Sequence, residues 1–254
     1  MDFPQASVVA SRLEFLAESA STNAALRALS ADSDAWPHLS VIVTDNQTAG
    51  RGRLDRSWQT PAGTALAVSV LVRELPSDLE AMGWLPLVAG LAMAEAVTVQ
   101  LPDREVGVKW PNDVLVDGGK ICGILAESTG SAVVIGTGIN TAMTADQLPM
   151  PTATSFAALG AVADEDRLIA DYLRRLGGLL AALAAWGDAE RSGVHDAVSA
   201  RCTTIGREVE VSLPDGSALR GRALRLERDG RLCVAVDGTE HAIAAGDVVH
   251  ARLA

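Results

Sequence analysis

The chain has 254 residues, 48% hydrophobic and 21% charged, enough apolar content for a full core in one large domain or a domain with a small appendage. Its formal net charge of -11 argues against general nucleic-acid binding while leaving room for a local basic patch. Three well-separated cysteines (Cys122, Cys202, Cys233) and four histidines without ligand spacing (His38, His195, His241, His250) argue against a disulfide framework or a protein metal site, so the cytoplasm is the expected compartment.

The N-terminal stretch MDFPQASVVASRLEF lacks the basic region and long apolar core of a secretory signal. No apolar run reaches the roughly 18 residues that a membrane span needs. Ser21-Thr22-Asn23 then stands before AALRAL as an N-cap cluster, opening a short helix with Leu26 and Leu29 inward. Capping alone accounts for these three residues, although hydroxyls and an amide at a helix start also suit a polar ligand head group. Beyond Trp36-Pro37, Val41-Ile42-Val43 reads as a strand, and Asp45-Asn46-Gln47 leads into Gly50-Arg51-Gly52-Arg53-Leu54-Asp55-Arg56. That loop sets three arginines against one aspartate in an otherwise acidic chain. Its glycines let backbone N–H groups approach a ligand closely, and guanidinium forks add bidentate donors, so the loop suits an anion. The plain alternative is a solvated surface loop. Trp58 is either core or the wall of an apolar pocket beside the arginines. Leu66, Val68, Val70 and Val72 alternate with Ala65, Ala67, Ser69 and Leu71, which predicts a buried strand carrying the loop on a rigid scaffold.

From Trp84 to Gln100, Leu87, Leu91, Ala94 and Thr98 fall at helical spacing. In VGVKWPNDVLV the alternation of a strand is interrupted by Pro111, which cannot donate to a ladder. Asn112 and Asp113 are thereby placed where side chains leave the sheet, or they are ordinary turn residues. Asp117-Gly118-Gly119 predicts a hairpin returning through Lys120, and a third strand runs through SAVVIGTGIN to Asn140. Such a sheet would gather Lys109, Asn112, Asp113, Lys120 and Asn140, with a structural ion pair as the simpler reading. Lys109 and Lys120, eleven residues apart, are the only lysines in the chain. A helix with acidic residues in its first turn follows from Asp164 to Trp186. Near residue 201 the texture changes to short alternating runs, through the tail VVHARL, separated by Pro214-Asp215-Gly216, Asp229-Gly230 and Asp237-Gly238. These predict a small β-barrel. Its eight basic and eight acidic residues cancel, so the net -11 belongs to residues 1–200, and the expected domains are 1–200 and 201–254.

Taken together, the motifs resemble the bacterial biotin protein ligases, also called biotin–[acetyl-CoA-carboxylase] ligases. The matching pieces are Ser21-Thr22-Asn23, Gln47 with Gly50-Arg51-Gly52-Arg53, Trp58, Lys109-Trp110-Pro111-Asn112-Asp113, Lys120 with Gly123-Ile124-Leu125, and Gly136-Thr137-Gly138-Ile139-Asn140, in the family's order. The resemblance implies an α+β fold, with a mixed-sheet catalytic domain and a C-terminal SH3-like β-barrel. It also implies a two-step reaction in which biotin and Mg-ATP give biotinyl-5′-AMP and pyrophosphate, and a lysine of a biotin carboxyl carrier domain then takes the biotin. The implied ligands are biotin, ATP and the Mg2+ that accompanies it, with neither nucleic acid nor membrane as a partner.

By the same resemblance Ser21, Thr22, Asn23 and Gln47 bind the ureido ring and neighbouring polar atoms, with Trp58 beside them. Arg51, Gly52 and Arg53 close over biotin and the phosphates, Lys120 sits at the carboxylate–phosphate junction, and Lys109, Asn112 and Asn140 contact the nucleotide. The expected catalytic residues are Lys120, Arg53 and Asp113, the last as base for the acceptor lysine. The chemistry agrees with the composition of the loop. Bringing a carboxylate to a phosphate joins two anions and needs cations, and an acceptor amine of pKa about 10.4 must lose a proton before attack. Some family members carry an N-terminal winged helix, but 20 residues precede Ser21 here, so a ligase without a repressor role is expected. Lipoate–protein ligases share the fold and the adenylate chemistry, but GRGR and KWPND count against them. A biotin sensor without transfer is disfavoured by Lys120 with Asp113. A P-loop ATPase is excluded because GxxxxGK[ST] does not occur.

Overall fold

Alternating apolar residues dictate a sheet with two buried faces, and the computed structural model of the protein is built on one. It describes residues 1–53, 56–213, 216–244 and 246–250. Leu54 and Asp55 of the cationic loop, Pro214 and Asp215 of one expected turn, and the tail from Ala251 lie outside the described residues. In chain order come α1 (Pro4–Val9), β1 (Arg12–Phe15), α2 (Thr22–Leu29), β2 (Ser40–Thr44), β3 (Gly50–Arg51), β4 (Ser57–Trp58) and β5 (Ala65–Val72). After them come α3 (Leu85–Gln100), β6 (Val106–Lys109), β7 (Asp113–Val116), β8 (Gly119–Ser128), β9 (Val133–Asn140), α4 (Glu165–Trp186) and α5 (Val194–Arg201). The main sheet has the order β1-β2-β5-β9-β8-β7-β6, parallel between β1 and β2 and antiparallel elsewhere. It is the mixed sheet expected.

One face of the sheet carries α3 and α4, with Val41, Val43, Leu66, Val68 and Val70 in their core; the other carries α2, through Leu26 against Ile42, Leu71 and Val134. Leu29, expected inward, is 38% exposed, because the face that α2 turns inward is formed by Thr22, Asn23, Leu26 and the capping Ser30, which leaves Leu29 at its edge. The helical stretch Leu79–Gln100 is long and apolar enough on composition to cross a membrane. Here most of its apolar surface is buried between the sheet and α4, with Leu79 and Val99 exposed at its two ends, the setting in which a helix without a polar face is stable in water. The strand alternation breaks at a cis Trp110-Pro111 bond, separating β6 from β7. Asp117 and Gly118 both take positive φ (48° and 81°), the geometry of a tight hairpin turn, and return the chain into β8.

A second, antiparallel sheet follows, comprising β10 (Glu208–Ser212), β11 (Ala218–Leu226), β12 (Leu232–Val236), β13 (Thr239–Ile243) and β14 (Asp247–His250), in the order β13-β12-β11-β10-β14. An irregularity between Ala223 and Arg225 bends β11, as a bulge does. Among the described residues the ladder is open between β13 and β14. The sheet is tied to the first by backbone and indole contacts: Thr203 N donates to Val108 O at 2.8 Å, Trp84 Nε1 to Arg228 O at 2.8 Å, and Trp110 Nε1 to Gly230 O at 3.0 Å.

Candidate active site

Between the start of α2, the β3–β4 hairpin, strands β7 to β9 and the second sheet lies a cleft of about 1610 Å³. All the residues singled out from the sequence line it: Ser21, Thr22, Asn23, Gln47, Arg51, Gly52, Arg53, Trp58, Lys109, Asn112, Asp113, Lys120 and Asn140. Its floor is made of small residues. Gly138 pairs with Ala67 and Gly136 with Ser69, and a Cβ at 136 would stand 2.3 Å from Asn23 Oδ1, one at 138 2.6 Å from Trp58 Cε2. The glycines of GTGIN therefore let the amide and the indole settle onto the sheet.

One end of the cleft is a buried polar corner. Ser21 caps α2, accepting from Ala24 N at 3.3 Å. Gln47 Oε1 accepts from Thr22 N at 2.8 Å and from Thr22 Oγ1 at 3.1 Å. Ser69 Oγ, fully buried beneath, donates to Asn23 Oδ1 at 2.6 Å and lies 2.8 Å from Thr22 Oγ1. Asn23 Nδ2 donates to Leu125 O at 3.2 Å and Glu127 Oε2 at 2.8 Å. Buried polar groups bound to one another in this way hold fixed orientations, as a site for a polar head group requires.

The cations cluster beside this corner. Arg53 Nη1 donates to Asn112 Oδ1 at 3.0 Å, and Asn112 Nδ2 to Ile124 O at 2.7 Å, so the interrupted strand holds an arginine of the loop. Arg51 Nη2 lies 3.5 Å from Glu127 Oε1. Asp113 faces Lys109 in the β6–β7 register and is 2.7 Å from Lys120 Nζ. That contact is ionic, not an aligned hydrogen bond, for Asp113 Oδ1 has no partner of hydrogen-bond geometry. Gly123 makes room for the lysine, since a Cβ there would lie 3.1 Å from Nζ. Asn140 Nδ2 donates to Thr154 O at 2.9 Å, and Thr154 N to Lys120 O at 2.8 Å.

Some lining residues came without warning. Arg207, Arg222, Val249 and His250 reach the cleft from the second sheet, whose balanced charges offered no signal. Burial, and then Lys109 and Arg207, push His250 down to about 4, so its imidazole is neutral at pH 7; it lies 3.2 Å from Thr204 Oγ1. Burial also raises the Cys122 thiol well above its usual range, which keeps it unreactive on the cleft floor. Among the described residues no group of three or more His, Cys, Asp and Glu side chains could hold a metal, and Asp113 and Glu208 are the carboxylates lining the cleft.

The Biotin/lipoate A/B protein ligase family matches residues 16–140, and the Biotin protein ligase C terminal domain matches residues 204–251. The biotin--[acetyl-CoA-carboxylase] ligase of Mycobacterium tuberculosis is 41% identical over 244 residues, which is 95% of this chain and 90% of that one. The chain belongs to the biotin protein ligase family. Two solved biotin protein ligases share its architecture. That of Aquifex aeolicus, in complex with biotin and ATP, aligns with a TM-score of 0.78 and 25% identity over 96% of this chain and 100% of that one. That of Leishmania major, in complex with biotinyl-5-AMP, aligns with a TM-score of 0.62 and 26% identity over 92% and 99%. In this biotin protein ligase family member the first matched segment holds every strand of the main sheet but β1, and the second holds the C-terminal sheet, with the cleft lined from both.

Proposed function

We propose that the protein activates biotin with Mg-ATP and transfers it to a specific lysine of a biotin carboxyl carrier domain. The observation that carries this reading is the union, in one cleft, of a buried hydrogen-bonding corner with a wall of three cations, Arg51, Arg53 and Lys120. A biotin whose ureido ring meets Ser21, Thr22, Asn23 and Gln47, with Trp58 beside it, sends its carboxylate toward that wall. In the first step a carboxylate oxygen attacks the α-phosphorus, and the bond to the bridging oxygen breaks to release pyrophosphate. Lys120 and Arg53 lower the repulsion between the two anions and take up charge in the transition state, while Arg51 and the Gly52 backbone cover them. Lys109, Asn112 and Asn140 contact the nucleotide. In the second step the acceptor amine attacks the biotinyl carbonyl, AMP leaves, and Asp113 takes the amine proton.

Mg2+ enters as part of the ATP substrate. We place the boundary between the catalytic unit and the C-terminal unit near residue 200. The compartment we propose is the cytoplasm, in keeping with three cysteines that are all free and buried.

Pyrophosphate release from ATP tests the reading, first with biotin alone and then with a biotin carboxyl carrier domain added. Biotin-dependent release followed by labelling of the carrier lysine is expected. Release with lipoate and not with biotin would move the protein to the neighbouring lipoate chemistry, and binding without release would reduce it to a sensor.

A further inference from the structure

Glu127, on β8, points its carboxylate at both halves of the site without lining the cleft itself. Its side chain is 18% exposed, and three donors meet it. Oε2 accepts from Asn23 Nδ2 at 2.8 Å; Oε1 is 2.9 Å from Arg27 Nη1 and 3.5 Å from Arg51 Nη2. A carboxylate can only accept, and so can the neighbouring Leu125 carbonyl, 3.2 Å from the same amide nitrogen. Together they fix the Asn23 amide with its nitrogen toward β8 and its oxygen toward Ser69. The amide occupies space that only a glycine leaves open, for a Cβ at Gly136 would stand 2.3 Å from Oδ1. On its other oxygen the same carboxylate meets the first arginine of the cationic loop.

We propose that Glu127 is a positioning residue, which sets the orientation of the Asn23 amide and ties the cationic loop to the polar corner through Arg51. The inference rests on the biotin-binding roles proposed above for Asn23 and Arg51. Glutamine at this position could turn its own nitrogen toward Asn23, releasing the amide to flip, and would offer Arg51 no charge. Arg27 shares the carboxylate but does not line the cleft, so it serves as an internal control.

The test is steady-state pyrophosphate release by the full chain, with biotin varied at saturating ATP. Glu127→Gln is expected to raise the biotin KM about tenfold while kcat stays within about twofold, the pattern of a lost binding interaction. Glu127→Asp, shorter but charged, recovers part of that loss, and Arg27→Ala stays within about twofold of the parent. A folded Glu127→Gln protein with unchanged biotin KM overturns the proposal, as does a fall in kcat with KM unmoved. Trypsin gives an independent reading on the loop arginines. Biotin is expected to slow their cleavage in the parent, with part of that protection lost in Glu127→Asp; equal protection in both, or none in the parent, overturns the tie to the loop. A parent protein that releases no pyrophosphate with biotin instead sinks the proposed function, and this inference with it.

Discussion

Asp113 stands between the only two lysines of the chain, opposite Lys109 in the strand register and 2.7 Å from Lys120. While the pair is closed, the carboxylate holds the ammonium in place. On the proposed mechanism, Lys120 turns to the anionic ligand and releases the carboxylate to accept a proton. Asp113→Asn should therefore slow transfer from purified biotinyl-AMP by roughly 100-fold or more, the usual size of a lost general base, and affect adenylate formation less. Transfer at the parent rate would remove the role. The cations and the strand break were readable in advance because they depart from what their elements need: arginines in an acidic chain, a proline inside a strand, lysines where arginine is otherwise used. Ser69 and Glu127 gave no such departure. Ser69 reads as a close-packed strand residue, and its importance depends on how deeply α2 sinks over Gly136. For Glu127 a signal did exist, since alternation along β8 puts it on the same face as Leu125 and Gly123.

Helix α4 shows what a local pattern can specify. Asp164 accepts from Arg167 N at 3.1 Å as N-cap, Glu165 and Asp166 follow in the first turn, and Gly187 closes the helix at φ 62°. Each of these is a local preference, which is why the span from 164 to 186 could be read directly. Asp164→Ala is expected to lower stability by about 1 kcal/mol, measured by denaturant unfolding, while biotin-dependent pyrophosphate release persists. No loss of stability would mean that the cap is idle. The strand break at Pro111 was readable for the same reason. Leu29 was not, because in a two-turn helix the apolar spacing alone does not separate Leu29 from the inward face made by Thr22, Asn23, Leu26 and Ser30. Helix α3 was readable from Leu87, Leu91, Ala94 and Thr98, but its burial extends well beyond that row, to Val88, Ala92, Met93 and Ala96, because the sheet and α4 cover it together.

The joining of the two sheets was hidden from the sequence. Trp84 and Trp110 dock onto carbonyls of Arg228 and Gly230, and main-chain acceptors are the same whatever side chain they carry. His250 belongs to this junction, half-buried beside Lys109 and Arg207, with its folded pKa near 4 against an ordinary value of 6.5. The unfolded chain binds the proton more tightly across that window. The contribution of a neutral His250 to stability is thus complete above pH 6.5 and lost as pH falls toward 4. Unfolding free energies between about pH 7.5 and pH 5 should decline more steeply in the parent than in His250→Gln, and equal slopes would discount the effect.

Lys109 and Lys120 both line the cleft, and the remaining cationic side chains, histidines aside, are arginines. On the proposed chemistry, an acyl adenylate that drifts out of the cleft acylates whatever free amine it encounters. Guanidinium stays protonated and does not compete as a nucleophile. Met1 apart, the chain therefore offers a leaked reagent no amine outside the cleft. Acylation would fall on neighbouring proteins far more than on the maker.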